Sequence, residues 1–115
     1  MSNLSRVDQK RARREKAILQ AATTRFFQYP YDQVSMKEIA HDVDIAKGTL
    51  YLHFKNKQSL FFMIVLEGMK LLYHTLEEAI QTADSGLEKI KKLTFAFAHY
   101  IKEHISYYRL NLEAR

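Results

Sequence analysis

Apolar residues along this chain recur three and four positions apart, and no stretch alternates. Ala17, Ile18, Ala21, Ala22 and Phe26, with Arg25 on the same face, carry the period of an α-helix and predict one from about residue 11 to 28. Pro30 ends it, because proline has no N–H and its ring disfavours helical backbone at Tyr29. Met36, Ile39, Ala40 and Val43 form a second stripe. Ser35-Met36-Lys37-Glu38 opens it in capping-box form, the hydroxyl accepting the Glu38 N–H and the carboxylate reaching back to the Ser35 N–H. A break follows at 42–45, then a short third helix from 46 to about 53 that turns Leu50 to the core. Asn56 suits the N-cap of a fourth helix running to about 83. Gly68 is tolerable inside it, and its length would be roughly 40 Å at 1.5 Å per residue. Asp84-Ser85-Gly86 breaks the pattern, and Ser85-Gly86-Leu87-Glu88 repeats the capping form. Ile90, Leu93, Thr94, Phe97, Tyr100 and Ile101 give a fifth helix its apolar face; Ser106 is the expected cap of a sixth that begins at Tyr107. Residues 1–10 are polar and aperiodic and read as a mobile arm. The expected fold class is all-α.

Composition supports the helical reading. Glycine and proline are scarce, three and one, and 47% of residues are hydrophobic, which is enough for a core. There is no cysteine, so disulfides and thiolate metal sites are excluded, and a reducing cytoplasm is the expected location. The first residues are polar and basic rather than signal-like. The longest apolar run, Leu60-Phe61-Phe62-Met63-Ile64-Val65-Leu66, is far short of the roughly 20 residues that span a bilayer.

Charge changes the picture more. The net charge of +5 lies entirely in residues 1–57, which hold eleven Lys and Arg against six Asp and Glu; the remainder is balanced. A basic first half beside a neutral second half points to a polyanionic partner or to a solvated basic tail.

The two short helices with a four-residue break between them have helix-turn-helix spacing. Ala40 keeps the first helix thin where the second crosses it, and Ile39, Val43, Leu50 and Phe54 can join the pair to the preceding helix. The second helix then projects its first turns towards a DNA groove. Lys47 can donate to guanine O6 and N7, and Thr49 can meet a thymine methyl or a phosphate. Gly48 lets the helix backbone come close to DNA. Tyr51, His53 and Lys57 can donate to phosphates, which sets register without reading sequence.

These residues carry a resemblance. Ile18-Leu19-Gln20-Ala21-Ala22, Ser35-Met36-Lys37-Glu38-Ile39-Ala40 and the run from Ala46 to Leu60 resemble the DNA-binding domain of TetR-type repressors. The most specific piece is Gly48-Thr49-Leu50-Tyr51-Leu52-His53-Phe54 followed by Lys57. The resemblance implies a helix-turn-helix DNA-binding domain at 12–72, with the motif itself at about 35–54. It implies a long fourth helix joining this to the incomplete beginning of an effector and dimerisation domain at 73–115. It implies DNA contacts at Lys47, Thr49, Tyr51, His53 and Lys57; Ser35, Lys37, Ala46 and Gly48 complete the expected set. It also implies a small-molecule cavity, for which Phe97, Tyr100, His104 and Tyr108 are the candidates, and a homodimer on a near-palindromic operator. Two positions depart from the family pattern. Pro30 stands where a glycine is usual, and Leu52, where a large residue is usual, either meets a thymine methyl or packs.

Plainer readings stand beside these. Phe54 reads as core, whereas Tyr51 beside Lys47 does not. His41, His74 and His99 read as surface or structural groups, and the aromatics from Phe95 to Tyr108 read first as core. His99, Glu103 and His104 make only a weak metal pattern, and there is no His-Glu-x-x-His, no Gly-rich phosphate loop and no Cys, so no enzyme, metal or cofactor is expected. The competing function is a basic helical module for a membrane surface or a partner, weakened by the lack of large apolar anchors opposite the basic residues of the first helix.

Overall fold

The structure is a computed structural model that describes residues 5–113. Six α-helices follow one another: α1 (Arg6–Gln28), α2 (Met36–Asp42), α3 (Lys47–His53), α4 (Lys57–Gln81), α5 (Gly86–Glu103) and α6 (Ile105–Glu113). A single 3-10 turn, Tyr31–Gln33, stands between α1 and α2, and there is no strand among the described residues. The chain divides into two compact units, Met1–Ile64 and Val65–Arg115, with the division inside α4 and ahead of the 72/73 boundary expected from sequence.

The first unit is built on α1. Ile18, Ala22 and Phe26, four residues apart, are fully buried and share one face. Met36, Ile39 and Ala40 of α2, Leu50 of α3, Phe54, and Leu60, Phe61 and Ile64 of α4 close over them. Each large side chain so buried contributes roughly 1.5–3 kcal/mol. The expected arm is shorter than the sequence suggested. Helix α1 starts at Arg6, because Ser5 caps it by accepting the Asp8 N–H at 3.2 Å and donating to Asp8 Oδ2 at 3.0 Å. Residues 1–4 of that arm lie outside the described residues. Tyr29 takes an extended conformation (φ −129°, ψ 151°), which ends α1 ahead of Pro30 as expected.

The 3-10 turn had no periodicity to reveal it. It sets Tyr31 against Phe26, with stacked rings 5.9 Å apart, and against Phe61, edge-on at 5.0 Å; Phe26 and Phe61 meet edge-on at 5.1 Å.

The capping box forms as the sequence predicts. Ser35 Oγ accepts the Glu38 N–H at 3.1 Å, and Glu38 Oε1 accepts the Ser35 N–H at 3.1 Å. The other carboxylate oxygen takes Arg25 Nη1 at 3.1 Å, so one glutamate caps α2 and ties it to α1. Helix α2 ends in a Schellman pattern, with Ile45 N donating to Ala40 O at 3.0 Å and Asp44 N to His41 O at 3.1 Å. Asp44 occupies the left-handed position (φ 56°), which glycine usually fills and aspartate tolerates. Asn56 caps α4 by accepting the Ser59 N–H at 2.7 Å.

In the second unit, α4 and α6 approach closely at Gly68. A Cβ on that residue would lie 2.6 Å from the Tyr107 ring, and the Gly68 carbonyl accepts the buried Tyr100 hydroxyl at 3.0 Å. Gly68 is thus a packing requirement rather than merely tolerable. Ser85 caps α5 by accepting the Glu88 N–H at 3.1 Å, but the return bond goes to the Asp84 N–H at 3.2 Å, so this second box is offset by one residue. Ser106 caps nothing: the chain bends at His104 (φ −128°, ψ 44°) and α6 is already helical at Ile105. By length and composition alone α4 could cross a membrane, although no single apolar run is that long; Leu60, Phe61 and Ile64 of α4 belong to the core of the first unit.

Candidate nucleic-acid interface

Helix α3 is held by one inward residue. Leu50 is fully buried, and Phe54 just past the helix joins it in the core. The opposite face is therefore presented outward: Ala46, Lys47, Gly48, Tyr51 and Leu52 are exposed, Leu52 at 78%, and Thr49 is half-buried. Leu52 does not pack. Ala46 is the N-cap of α3 and makes no side-chain cap bond. Lys47 Nζ lies 5.9 Å from the centre of the Tyr51 ring, a weak cation–π contact that keeps the two together on the surface. A Cβ built on Gly48 would meet nothing within 4 Å. No neighbour inside the molecule demands glycine there, and glycine costs a helix interior about 1 kcal/mol relative to alanine.

The remaining expected DNA-contact residues are less free. The Ser35 hydroxyl is committed to Glu38, donating to Oε1 at 2.9 Å while accepting the amide; Lys37 beside it is exposed. Lys57 Nζ donates to the Tyr31 carbonyl at 2.9 Å and stands 4.1 Å above the Tyr31 ring. The His53 side chain is only 9% exposed, and its Nδ1 lies 3.0 Å from Glu15 Oε2. Sequence reasoning missed Tyr31 and Glu15. Tyr31 has no periodic signal, and Glu15 could have been noticed as an acid inside a run of cations.

The basic residues of α1 reach the same surface. Val7, Lys10, Arg11 and Arg14 of α1 line a hollow of about 320 Å³ with Leu52 and His53 of α3. A second of about 230 Å³ is lined by Arg6, Gln9, Lys10 and Arg13. These cations and the outward face of α3 lie in one unit and make a basic surface of the kind that can meet phosphates.

In the second unit the four candidate effector residues separate. Phe97 is exposed and lines a shallow hollow of about 380 Å³ with Leu76, Leu93 and Thr94. Tyr100 is buried and spends its hydroxyl on Gly68. His104 and Tyr108 are half-buried, and the His104 ring stands 5.3 Å from Tyr100 and 6.4 Å from Tyr107. Among the described residues no group of three His, Cys, Asp or Glu stands close enough to hold a metal, so His99, Glu103 and His104 do not assemble as ligands.

Helices α2 and α3, separated by a tight turn and braced on α1, define a helix-turn-helix domain. Residues 18–64 match the family model for bacterial regulatory proteins of the tetR family, and that segment of the chain is of the TetR type. It is 34% identical over 91 residues to the HTH-type transcriptional regulator YhgD of Bacillus subtilis, covering 79% of this chain and 48% of that protein. It is 31% identical over 85 residues to the HTH-type transcriptional repressor KstR2 of Mycolicibacterium smegmatis, covering 74% and 42%. The chain thus spans about half the length of the curated relatives it matches. A TetR-family regulator from Haemophilus influenzae shares the fold, with a TM-score of 0.63 at 22% identity over 85% of this chain and 54% of that one.

Proposed function

We propose that this chain is a sequence-specific DNA-binding transcriptional regulator that inserts α3 into the major groove. The observation that carries the proposal is the open, side-chain-free surface at Gly48, flanked by Lys47 and Tyr51, on a helix anchored from behind by Leu50. Lys47 reads a base edge, Thr49 and Tyr51 touch methyl or phosphate groups, and Lys37, Lys57 and the α1 cations hold the backbone. Ser35 and Ala46 contribute backbone at the starts of α2 and α3. Residues 12–72 act as the reader and 73–115 as the beginning of an effector and dimerisation domain.

The working unit in this reading is a homodimer in the cytoplasm. Two readers related by a dyad occupy major grooves roughly 34–36 Å or more apart on a near-palindrome. The exposed Leu87, Ile90, Phe95, Phe97, Ile105 and Leu112 give the second unit, not the basic reader, the apolar surface for assembly. The regulator is a repressor, released when a small molecule binds the second domain and favours an α4 orientation that misplaces the readers. Phe97 is the candidate effector contact that retains an open surface.

Enrichment of genomic fragments on the purified chain, followed by footprinting, tests the proposal. A protected, roughly two-fold symmetric motif is expected. Binding that never exceeds that of mixed-sequence DNA would contradict sequence-specific reading.

A further inference from the structure

Leu52 follows Gly48 by four residues and so lies on the same face of α3, one turn further on. Leu50, between them in sequence, points the other way into the core. Nothing crowds this face at Gly48. Of the two residues only Leu52 has a side chain, and it is 78% exposed. The face that the backbone leaves open for close approach therefore offers an aliphatic group.

A single exposed leucine is ordinary on a protein surface. Leu52, however, is not single. It shares the hollow of about 320 Å³ with Val7 of α1, which is 75% exposed, and Lys10, Arg11 and Arg14 stand around the pair. Arg11 is paired with Glu15 at 3.3 Å, while Lys10 and Arg14 are exposed. Two aliphatic side chains edged by cations suit a polyanion that carries small apolar groups. Duplex DNA is such a partner. Among the base edges in its major groove, the 5-methyl of thymine is the apolar group.

We infer that Leu52 is a specificity-determining residue that selects thymine through its 5-methyl group. The inference deepens the DNA-reading proposal and rests on it. The contact needs no hydrogen bond: leucine and methyl surface leave water together. Lys47 reads by donating to a base edge, whereas Leu52 reads by excluding water. Cytosine at the same position lacks the methyl and presents an amino group instead, which leucine leaves unsatisfied.

Deoxyuridine differs from thymidine only in that methyl, so it isolates the contact. The test takes the site enriched by the full chain, replaces each thymine in turn by deoxyuridine, and measures binding to the parent, Leu52→Ala and Leu52→Met proteins. For the parent, replacement at one or more positions should weaken binding about three- to tenfold, the worth of roughly one buried methyl or a little more. Leu52→Ala should bind the thymine site more weakly by a similar factor and be indifferent to deoxyuridine at that position, with its affinity for mixed-sequence DNA unchanged. Leu52→Met, which keeps an apolar side chain of similar volume, should retain most of the sensitivity. The deoxyuridine series on the unaltered chain stands whether or not a variant folds. An enriched site without thymine, a parent indifferent to every replacement, or a Leu52→Ala protein that keeps the full deoxyuridine penalty would overturn the inference and leave sequence-specific reading intact. Failure of the chain to enrich any site would overturn both.

Discussion

The Arg25 guanidinium grips Asp42 at two points, Nε to Oδ2 at 2.6 Å and Nη2 to Oδ1 at 2.8 Å, and so fixes the end of α2 against α1. Its third nitrogen holds Glu38 at the start of the same helix. One side chain thereby braces both ends of α2.

Asp42→Asn is expected to destabilise the protein by about 1 kcal/mol at neutral pH, given that both partners are partly exposed. Arg25 holds the Asp42 carboxyl below its usual range. Its contribution is therefore present above the ordinary aspartate pKa and is lost as pH falls through the lowered value. Urea unfolding of both proteins at neutral and strongly acid pH should show a gap that closes in acid. A gap of constant size would mean that the ion pair is not its source.

Gly68→Ala should cost about 1–3 kcal/mol, because the new methyl is driven into the Tyr107 ring 2.6 Å away. Gly68→Ala combined with Tyr107→Ala should recover part of the loss relative to Tyr107→Ala alone. Full additivity in thermal unfolding would place the cost elsewhere.

Asp44→Val should destabilise by about 1–2 kcal/mol, since a β-branched residue is strained at φ 56°, whereas Asp44→Gly should stay within about 1 kcal/mol of the parent. Equal melting temperatures for the two variants would show that the turn relaxes.

Much of the first unit was legible because its signals are local and periodic. Ile18, Ala22 and Phe26 announce a buried face, and Ser35 with Glu38 announces a helix start. Tyr31, Glu15 and the role of Gly68 were not legible. Each depends on a partner far along the chain, namely Phe61 and Lys57, His53, and Tyr107, and no spacing rule encodes such contacts. The exposure of Lys47 and Gly48 on α3 was expected from sequence, because the spacing turns Leu50 inward and leaves them on the other face. That Tyr100 is spent on packing rather than open to a ligand required the position of the Gly68 carbonyl.

Gly48→Ala separates folding from reading. The free protein should gain about 0.5–1 kcal/mol, because the methyl meets nothing and alanine is the better helix former. DNA affinity should fall if the α3 backbone approaches the groove as proposed. A variant that is more stable and binds equally well would remove Gly48 from the interface.

The most direct measurement compares Lys47→Ala and Lys57→Ala on a selected binding site and on mixed-sequence DNA. Lys47→Ala should lose about 1–3 kcal/mol on the selected site with little loss on mixed DNA, whereas Lys57→Ala should weaken both alike and reduce the salt dependence. If Lys47→Ala weakened both DNAs equally, or neither, α3 would not be the helix that reads sequence.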